Sequence, residues 1–390
     1  MKLSKRIQNI SPSLTLSITS KAKEMKKQGK DIILFGAGEP DFDTMTHIKE
    51  AAKKAMDEGF TKYTATSGII ELKEAIVKKL YQDNHLKYTP SQILVSNGAK
   101  QALFNIIFAL IDPDDEVIIP IPYWVSYVEM VKMAQGKPVS LKTNNFKINS
   151  NDLEKIITPK TKMLILNSPN NPTGVVYDEK ELKNIAKVCV KHNLIVLSDE
   201  IYEKLTFGKK HISIASFNKE IFSRTIVING VSKTYAMTGW RVGYAAGPEE
   251  VIKAATKIQD HTTSNINSIA QKAALAALLG PQDHIPKMVS EYKRRRDFMV
   301  DYLNRIDGVY ANRPDATFYV FADVSNLYHK NINNSLKFCE KLLDEAYVAV
   351  IPGSAFGDDR FIRLSFATSM EHIKRGLERF AKFCERIKNS

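Results

Sequence analysis

Lys233 stands in Gly230-Val231-Ser232-Lys233-Thr234-Tyr235-Ala236-Met237-Thr238-Gly239-Trp240-Arg241-Val242-Gly243, directly after the apolar run Thr225-Ile226-Val227-Ile228. An amine therefore sits where a strand-like run ends, between small residues that let a bulky ligand approach the backbone. Arg241, eight positions further on, offers a planar guanidinium suited to a phosphate. A lysine that can condense with an aldehyde and an arginine that can clamp a phosphate are what an enzyme using pyridoxal 5'-phosphate requires. The plainer reading is a loop with two solvated basic side chains.

Other apolar runs end on residues of matching chemistry. Ile93-Leu94-Val95 leads into Ser96-Asn97-Gly98-Ala99-Lys100, which opens a helical pattern over 101–110. The free first-turn amides of Gly98, Ala99 and Lys100 could receive a phosphate. Glu116-Val117-Ile118-Ile119 ends at prolines followed by Tyr123-Trp124, and Trp124 could stack on a planar ring. Met163-Leu164-Ile165-Leu166 runs into Asn167-Ser168-Pro169-Asn170-Asn171-Pro172-Thr173-Gly174, where two prolines hold Asn171 as a rigid amide donor. Leu194-Ile195-Val196-Leu197 precedes Ser198-Asp199-Glu200-Ile201-Tyr202. A carboxylate at Asp199 would keep a pyridine nitrogen protonated, since a nearby negative charge favours the cation. Tyr202, three residues on, could donate to the ring's phenolic oxygen. Taken singly, each has an ordinary structural reading: a turn, a core tryptophan, a helix cap.

The elements that must position these groups alternate between strand-like and helical runs, the rhythm of an open α/β sheet. Ligands of such sheets bind beyond the carboxyl ends of the strands. The expected fold is a mostly parallel central sheet with helices on both faces, plus a smaller α+β domain. Gly280-Pro281 marks the boundary, after an apolar helix over 269–279 and before a charged one over 285–306. Strands are expected near 317–321, 348–351 and 361–365, and residues 1–30 lack a strand of their own. The division is therefore a large domain over 31–280 and a small one made of 1–30 and 281–390.

Composition permits a large soluble enzyme: 390 residues, 44% hydrophobic and 25% charged, enough for a sizeable core. No apolar stretch approaches the roughly 20 residues a membrane helix needs, and residues 11–20 make a poor secretory core because Ser and Thr interrupt them. The expected location is the cytoplasm. Cys189, Cys339 and Cys384 form no close pair and the eight histidines are scattered, so neither disulfides nor a metal site is expected. The net charge of +13 raises nucleic acid as a ligand, but Lys and Arg fall in short clusters, the densest being Lys293-Arg294-Arg295-Arg296 within a helical pattern. A run of this kind on a helix is expected to be a solvated face. A positive field suits anionic small-molecule substrates better.

The sequence resembles the class I aminotransferases of pyridoxal phosphate fold type I, and within them the bacterial aspartate aminotransferase subgroup Iβ. The likeness spans nearly the whole chain: Gly36-Ala37-Gly38-Glu39-Pro40-Asp41-Phe42-Asp43, Lys62-Tyr63, Pro122 to Tyr127, Asn167 to Gly174, Ser198 to Tyr202, Ser232 to Gly243, and Phe361-Ile362-Arg363-Leu364-Ser365. The resemblance implies a homodimer with active sites shared between subunits, and a small domain that closes over substrate. It assigns Lys233 as imine lysine and proton shuttle, Asp199 as partner of the pyridine nitrogen, Tyr202 and Asn171 as partners of the ring oxygen, and Trp124 as stacking aromatic. Arg241 and the amides of Ala99 and Lys100 match the phosphate site, with Tyr63 reaching the other subunit's phosphate. Arg363 matches the grip on the substrate α-carboxylate, and Gly38 lines the same pocket. One departure is Gly230, where many relatives carry a serine that touches phosphate; Ser232 is the candidate substitute.

The resemblance also implies a ping-pong exchange between amino acids and 2-oxo acids. The subgroup's dicarboxylate pocket matches Ser13, Thr15 and Lys100, so aspartate and glutamate lead. Relatives that use prephenate tend to carry a basic residue where this chain has Ser11, so prephenate or a broad aromatic range ranks second. A pyridoxal phosphate β-lyase acting on carbon–sulfur bonds ranks third, and a basic nucleic-acid binder is the non-enzymatic rival.

Overall fold

The computed structural model describes residues 1, 3–12 and 14–389. Seven strands form the central sheet: β2 (Ile93–Asn97), β3 (Glu116–Ile121), β4 (Lys137–Lys142), β5 (Thr161–Asn167), β6 (Ile195–Asp199), β7 (Thr225–Gly230) and β8 (Val242–Ala246), in the order β2-β8-β7-β6-β5-β3-β4. β4, β3, β5, β6 and β7 run parallel, while β8 is antiparallel to both its neighbours.

The apolar runs are buried on both faces, and the two-residue period of a strand shows in which core each side chain enters. Met163, Ile165, Leu197, Ile226 and Ile228 join one apolar cluster, whereas Leu164, Leu166 and Val196 join another and Val227 a third. Helices cover both faces. Helix Glu179–Lys191 begins where the sequence places it, because Asp178 and Glu181 form a reciprocal capping box. β3 continues through Pro120 to Ile121, beyond the expected end. Its pairing with β5 reaches only Ile118, so the missing amide of Pro120 costs no hydrogen bond on that side.

A second, antiparallel sheet of four strands has the order β12-β13-β10-β9, with β9 (Tyr310–Ala311), β10 (Tyr319–Asp323), β12 (Ile351–Pro352) and β13 (Phe361–Ser365). Its core takes in Ile18 and Ala22 from helix Leu14–Lys27, and Phe35, together with residues of helix His284–Leu303 and of the C-terminal helix. β1 (Ile33–Leu34) pairs in parallel with β11 (Val348–Ala349). Among the described residues no helix is long and apolar enough to cross a membrane.

Candidate active site

A cavity of about 540 Å³ opens where β5, β6 and β7 end and where β13 and the segment after β1 approach them. β5 and β6 finish level, with Asn167 opposite Asp199. The Asn167 amide donates to the Asp199 carbonyl (3.0 Å) and its oxygen accepts from the Asn171 amide (2.8 Å), which sets the loop carrying Asn171.

Asp199 is 4% exposed. Its carboxylate accepts from the Tyr127 hydroxyl at 2.6 Å and the Ile201 amide at 3.3 Å. Burial pushes its pKa up to about 6, against the pull of these two donors. Lys233 follows the end of β7, and its Nζ donates to the Gly38 carbonyl at 2.6 Å. Burial brings its pKa down to about 8; Arg363 and Arg241 add to that effect, and Glu39 and Asp199 oppose it. Burial thus lowers the amine and raises the carboxyl, bringing both groups towards neutrality by environment. The Tyr202 and Tyr319 hydroxyls lie 3.0 Å apart, and burial raises both phenols.

On β13, Arg363 is buried, and its Nη1 donates to Asn171 Oδ1 (2.9 Å) and its Nη2 to the Gly36 carbonyl (3.1 Å). Its Nε is buried with no hydrogen-bond partner among the described residues. The guanidinium lies over Tyr319, 4.2 Å from the ring centre, so its plane is fixed by stacking.

Helix Gly98–Leu110 starts at the same rim, and its N-cap, Asn97, makes no side-chain bond to the first turn. Arg241 crosses this helix start, donating to the carbonyls of Thr238 (2.9 Å) and Asn97 (3.3 Å). Backbones crowd here. A Cβ on Gly98 would lie 2.5 Å from Arg241 Nη2, and one on Gly243 would lie 2.1 Å from the Ala99 amide nitrogen. Gly230 is equally constrained: a Cβ there would lie 2.9 Å from Gly243 Cα, so the serine of many relatives does not fit this backbone. Lys100 places its ammonium 4.9 Å from the centre of the Trp124 ring, and burial, then Arg241, lowers its pKa. Uncapped amides, a guanidinium and glycines that admit no side chain fit a phosphate, and the Lys233–Asp199 pair fits an aldehyde-bearing pyridine. The residues present therefore fit pyridoxal phosphate.

Residues 30–380 match the family of aminotransferases class I and II. The chain belongs to that family. This aminotransferase is 47% identical over 391 residues to the aspartate aminotransferase of Bacillus subtilis (strain 168), with 99% of this chain and 100% of that one covered. It is also 47% identical over 393 residues to the aspartate/prephenate aminotransferase of Nitrosomonas europaea, covering 98% and 99%. Among solved structures, the aspartate aminotransferase of Rhizobium meliloti superposes with a TM-score of 0.95 at 43% identity, covering 99% of both chains. That of Thermus thermophilus with maleate gives 0.94 at 42%, covering 98% and 99%.

In this aminotransferase Lys233, Asp199, Tyr202, Asn171, Arg241, Arg363, Trp124, Ala99, Lys100, Ser232, Gly38 and Thr15 all line the one cavity. Gly98 lies behind the lining, against Arg241. Tyr63 lies away from this chain's cavity and is 91% exposed. Ser13 lies outside the described residues. Sequence reasoning did not single out Tyr127, Glu39 or Tyr319, which line the same cavity. Tyr127 belongs to the Pro122–Tyr127 motif, but nothing in that motif shows that its hydroxyl meets Asp199.

Proposed function

We propose that this aminotransferase moves the amino group of L-aspartate to 2-oxoglutarate, giving oxaloacetate and L-glutamate by a ping-pong route with pyridoxal 5'-phosphate as cofactor. The observation that carries the reading is the convergence on one cavity of the Lys233 amine, the buried Asp199 carboxylate and the Arg363 guanidinium. Arg241 and the first amides of helix Gly98–Leu110 would hold the phosphate, Asp199 would keep the ring nitrogen protonated, Tyr202 and Asn171 would serve the ring oxygen, and Trp124 would stack on the ring, with Ser232 in the same lining. Bound there, the cofactor supplies an aldehyde for amino groups and an electron-accepting ring. Lys233 Nζ, with its pKa lowered to about 8, would take up the proton released from the substrate α-carbon and give it up again on the cofactor side. Arg363 takes the substrate α-carboxylate as a bidentate pair, with Gly38 at the pocket wall.

The choice of a dicarboxylate is supported by Lys100 and Thr15 in the lining, by the excess of cations there, by the names of the Bacillus and Rhizobium relatives, and by maleate with the Thermus enzyme. Ser13 joins that subsite in this proposal. The Nitrosomonas relative supports prephenate as a second oxo-acid partner. The protein acts as a homodimer in which the exposed Tyr63 completes the partner's phosphate site, and it works in the cytoplasm, where three buried free cysteines are at home. Residues 31–280 are taken as the cofactor domain and 1–30 with 281–390 as the domain that closes on substrate, although β1 and Phe35 pack with the latter. A panel of amino donors with 2-oxoglutarate, read as oxo-acid product, tests the assignment. Aspartate is expected to lead, and preference for a neutral donor, or pyruvate and ammonia formed without an acceptor, refutes it.

A further inference from the structure

Directly behind Asp199 lies a second, separate set of ionisable groups that the reaction does not touch. Glu200 is absent from the cavity lining, and its side chain is 1% exposed. Its Oε1 accepts from the hydroxyls of Ser198 (2.8 Å) and Ser213 (2.7 Å), and its Oε2 lies 3.0 Å from His211 Nε2. A carboxylate only accepts, so Nε2 carries the proton and donates. The His211 side chain is 5% exposed, and its Nδ1 is buried with no partner among the described residues. Glu200, Glu203 and His211 offer ligand atoms within 4.8 Å of one another, but the Lys79 ammonium already pairs with Glu203, which also accepts from Asn84 at 2.8 Å.

The other ionisable groups around this set are Asp83 and Lys204, paired with each other at 2.8 Å, and Tyr88, Tyr235 and Tyr244. Tyr88 brings a buried hydroxyl with no partner among the described residues, and burial, then the Glu200 charge, pushes its phenol up. Glu203 stays ionised, held down at about 2 by Lys79 and His211 against the effect of burial. On the cavity side, Asp199 faces Tyr127, Tyr202 and Lys233. The Glu200 amide donates to the Ile228 carbonyl at 2.9 Å and its carbonyl accepts from the Glu203 amide at 3.0 Å, so the turn holding Glu200 is continuous with β6 and tied to β7.

We propose that Glu200 and His211 are a buried positioning pair for Asp199. Glu200, held by three donors, anchors the turn that carries Asp199 and Tyr202, and the His211 Nε2–H offsets the Glu200 charge that acts on Asp199 from behind. The proposal rests on the reading of Asp199 as partner of the cofactor nitrogen. The charge of a buried carboxylate on the next residue disfavours ionisation of Asp199. Glu200 contributes to the elevation of Asp199 in this way, after burial. His211 limits that contribution. Removing the Glu200 charge therefore eases the ionisation of Asp199, and removing the His211 donor opposes it.

The test is the dissociation constant for pyridoxal phosphate between pH 5 and 8.5 in the wild type, Glu200→Gln, His211→Phe, the double variant and Asp199→Asn. The acid-side midpoint should move down in Glu200→Gln and up in His211→Phe, by about one pH unit or less. In the double variant it should lie with Glu200→Gln, because without the charge there is nothing for His211 to offset. Equal losses of affinity at every pH, with midpoints unmoved, overturn the proposal and leave a purely structural role. If His211→Phe fails to fold, Glu200→Gln and the double variant still decide it, since an unmoved midpoint in both overturns it. Asp199→Asn separates the two readings: if the acid limb persists there, the assignment of Asp199 fails and the proposal with it.

Discussion

Tyr127→Phe removes one hydroxyl whose single hydrogen bond among the described residues is the 2.6 Å donation to Asp199. A hydrogen bond to a charged group contributes about 1.5–3 kcal/mol. At about 1.36 kcal/mol per unit, that corresponds to about 1–2 pH units on the carboxyl it serves. Asp199, already pushed up to about 6 by burial, would then titrate at about 7–8. The neutral acid cannot hold a cationic ring nitrogen, so cofactor binding should weaken on the acid side. From the ionised fractions of the cofactor-free site, affinity for pyridoxal phosphate should drop about two- to tenfold at pH 7 and recover by about pH 9. Stability gives an independent check. A carboxyl with a raised folded-state pKa stabilises the fold below its unfolded value and loses that contribution as pH rises through the folded value. For Asp199 that window runs from 3.8 to about 6, and the variant extends its upper edge. Tyr127→Phe should therefore be more destabilised at pH 8 than at pH 5, read by urea unfolding. A profile that keeps its acid limb, in a variant that still binds cofactor, would refute the claim that Tyr127 holds Asp199 ionised.

Arg363→Lys should lower kcat/KM for every amino acid by about 2–5 kcal/mol, since the bidentate pair is lost whatever the substrate side chain; selective loss for one substrate contradicts that role. Lys100→Ala should impair aspartate and glutamate far more than alanine or phenylalanine, provided cofactor affinity, measured alongside, is retained; equal losses remove Lys100 as selector. Tyr63→Ala and Lys233→Ala are each expected to be nearly inactive alone, and their refolded mixture should recover activity through hybrid dimers. Hybrids that form and stay inactive would exclude a Tyr63 contribution across subunits.

The strand ends were legible because each apolar run of the parallel sheet breaks abruptly into polar residues, and Lys233, Asp199 and Asn171 stand at or just after those breaks. Helix Glu179–Lys191 was legible because its cap is local. β4 was missed because its half-exposed, mixed run carries no continuous apolar signal. β8 was missed because Val242-Gly243-Tyr244-Ala245-Ala246 merges with the lysine motif and is too small-sided to stand out. Contacts between distant parts of the chain were out of reach: Tyr127 meets Asp199 across 72 positions, Tyr202 meets Tyr319 across 117, and Arg363 meets Asn171 across 192. The absence of serine at position 230 was visible in the sequence, but its cause, the approach of Gly243 Cα, needed the sheet.

The outer strand of the large sheet has a consequence for solubility. β4 presents Lys137, Ser140 and Lys142 to solvent and contains Pro138, which has no amide proton to offer. A free strand edge is a template for another chain, and charged ends with a proline are how such edges are blunted. Lys137→Val with Pro138→Val would open that edge and leave the chain prone to edge-to-edge association. Another chain therefore finds no ready template at β4 for extending the sheet.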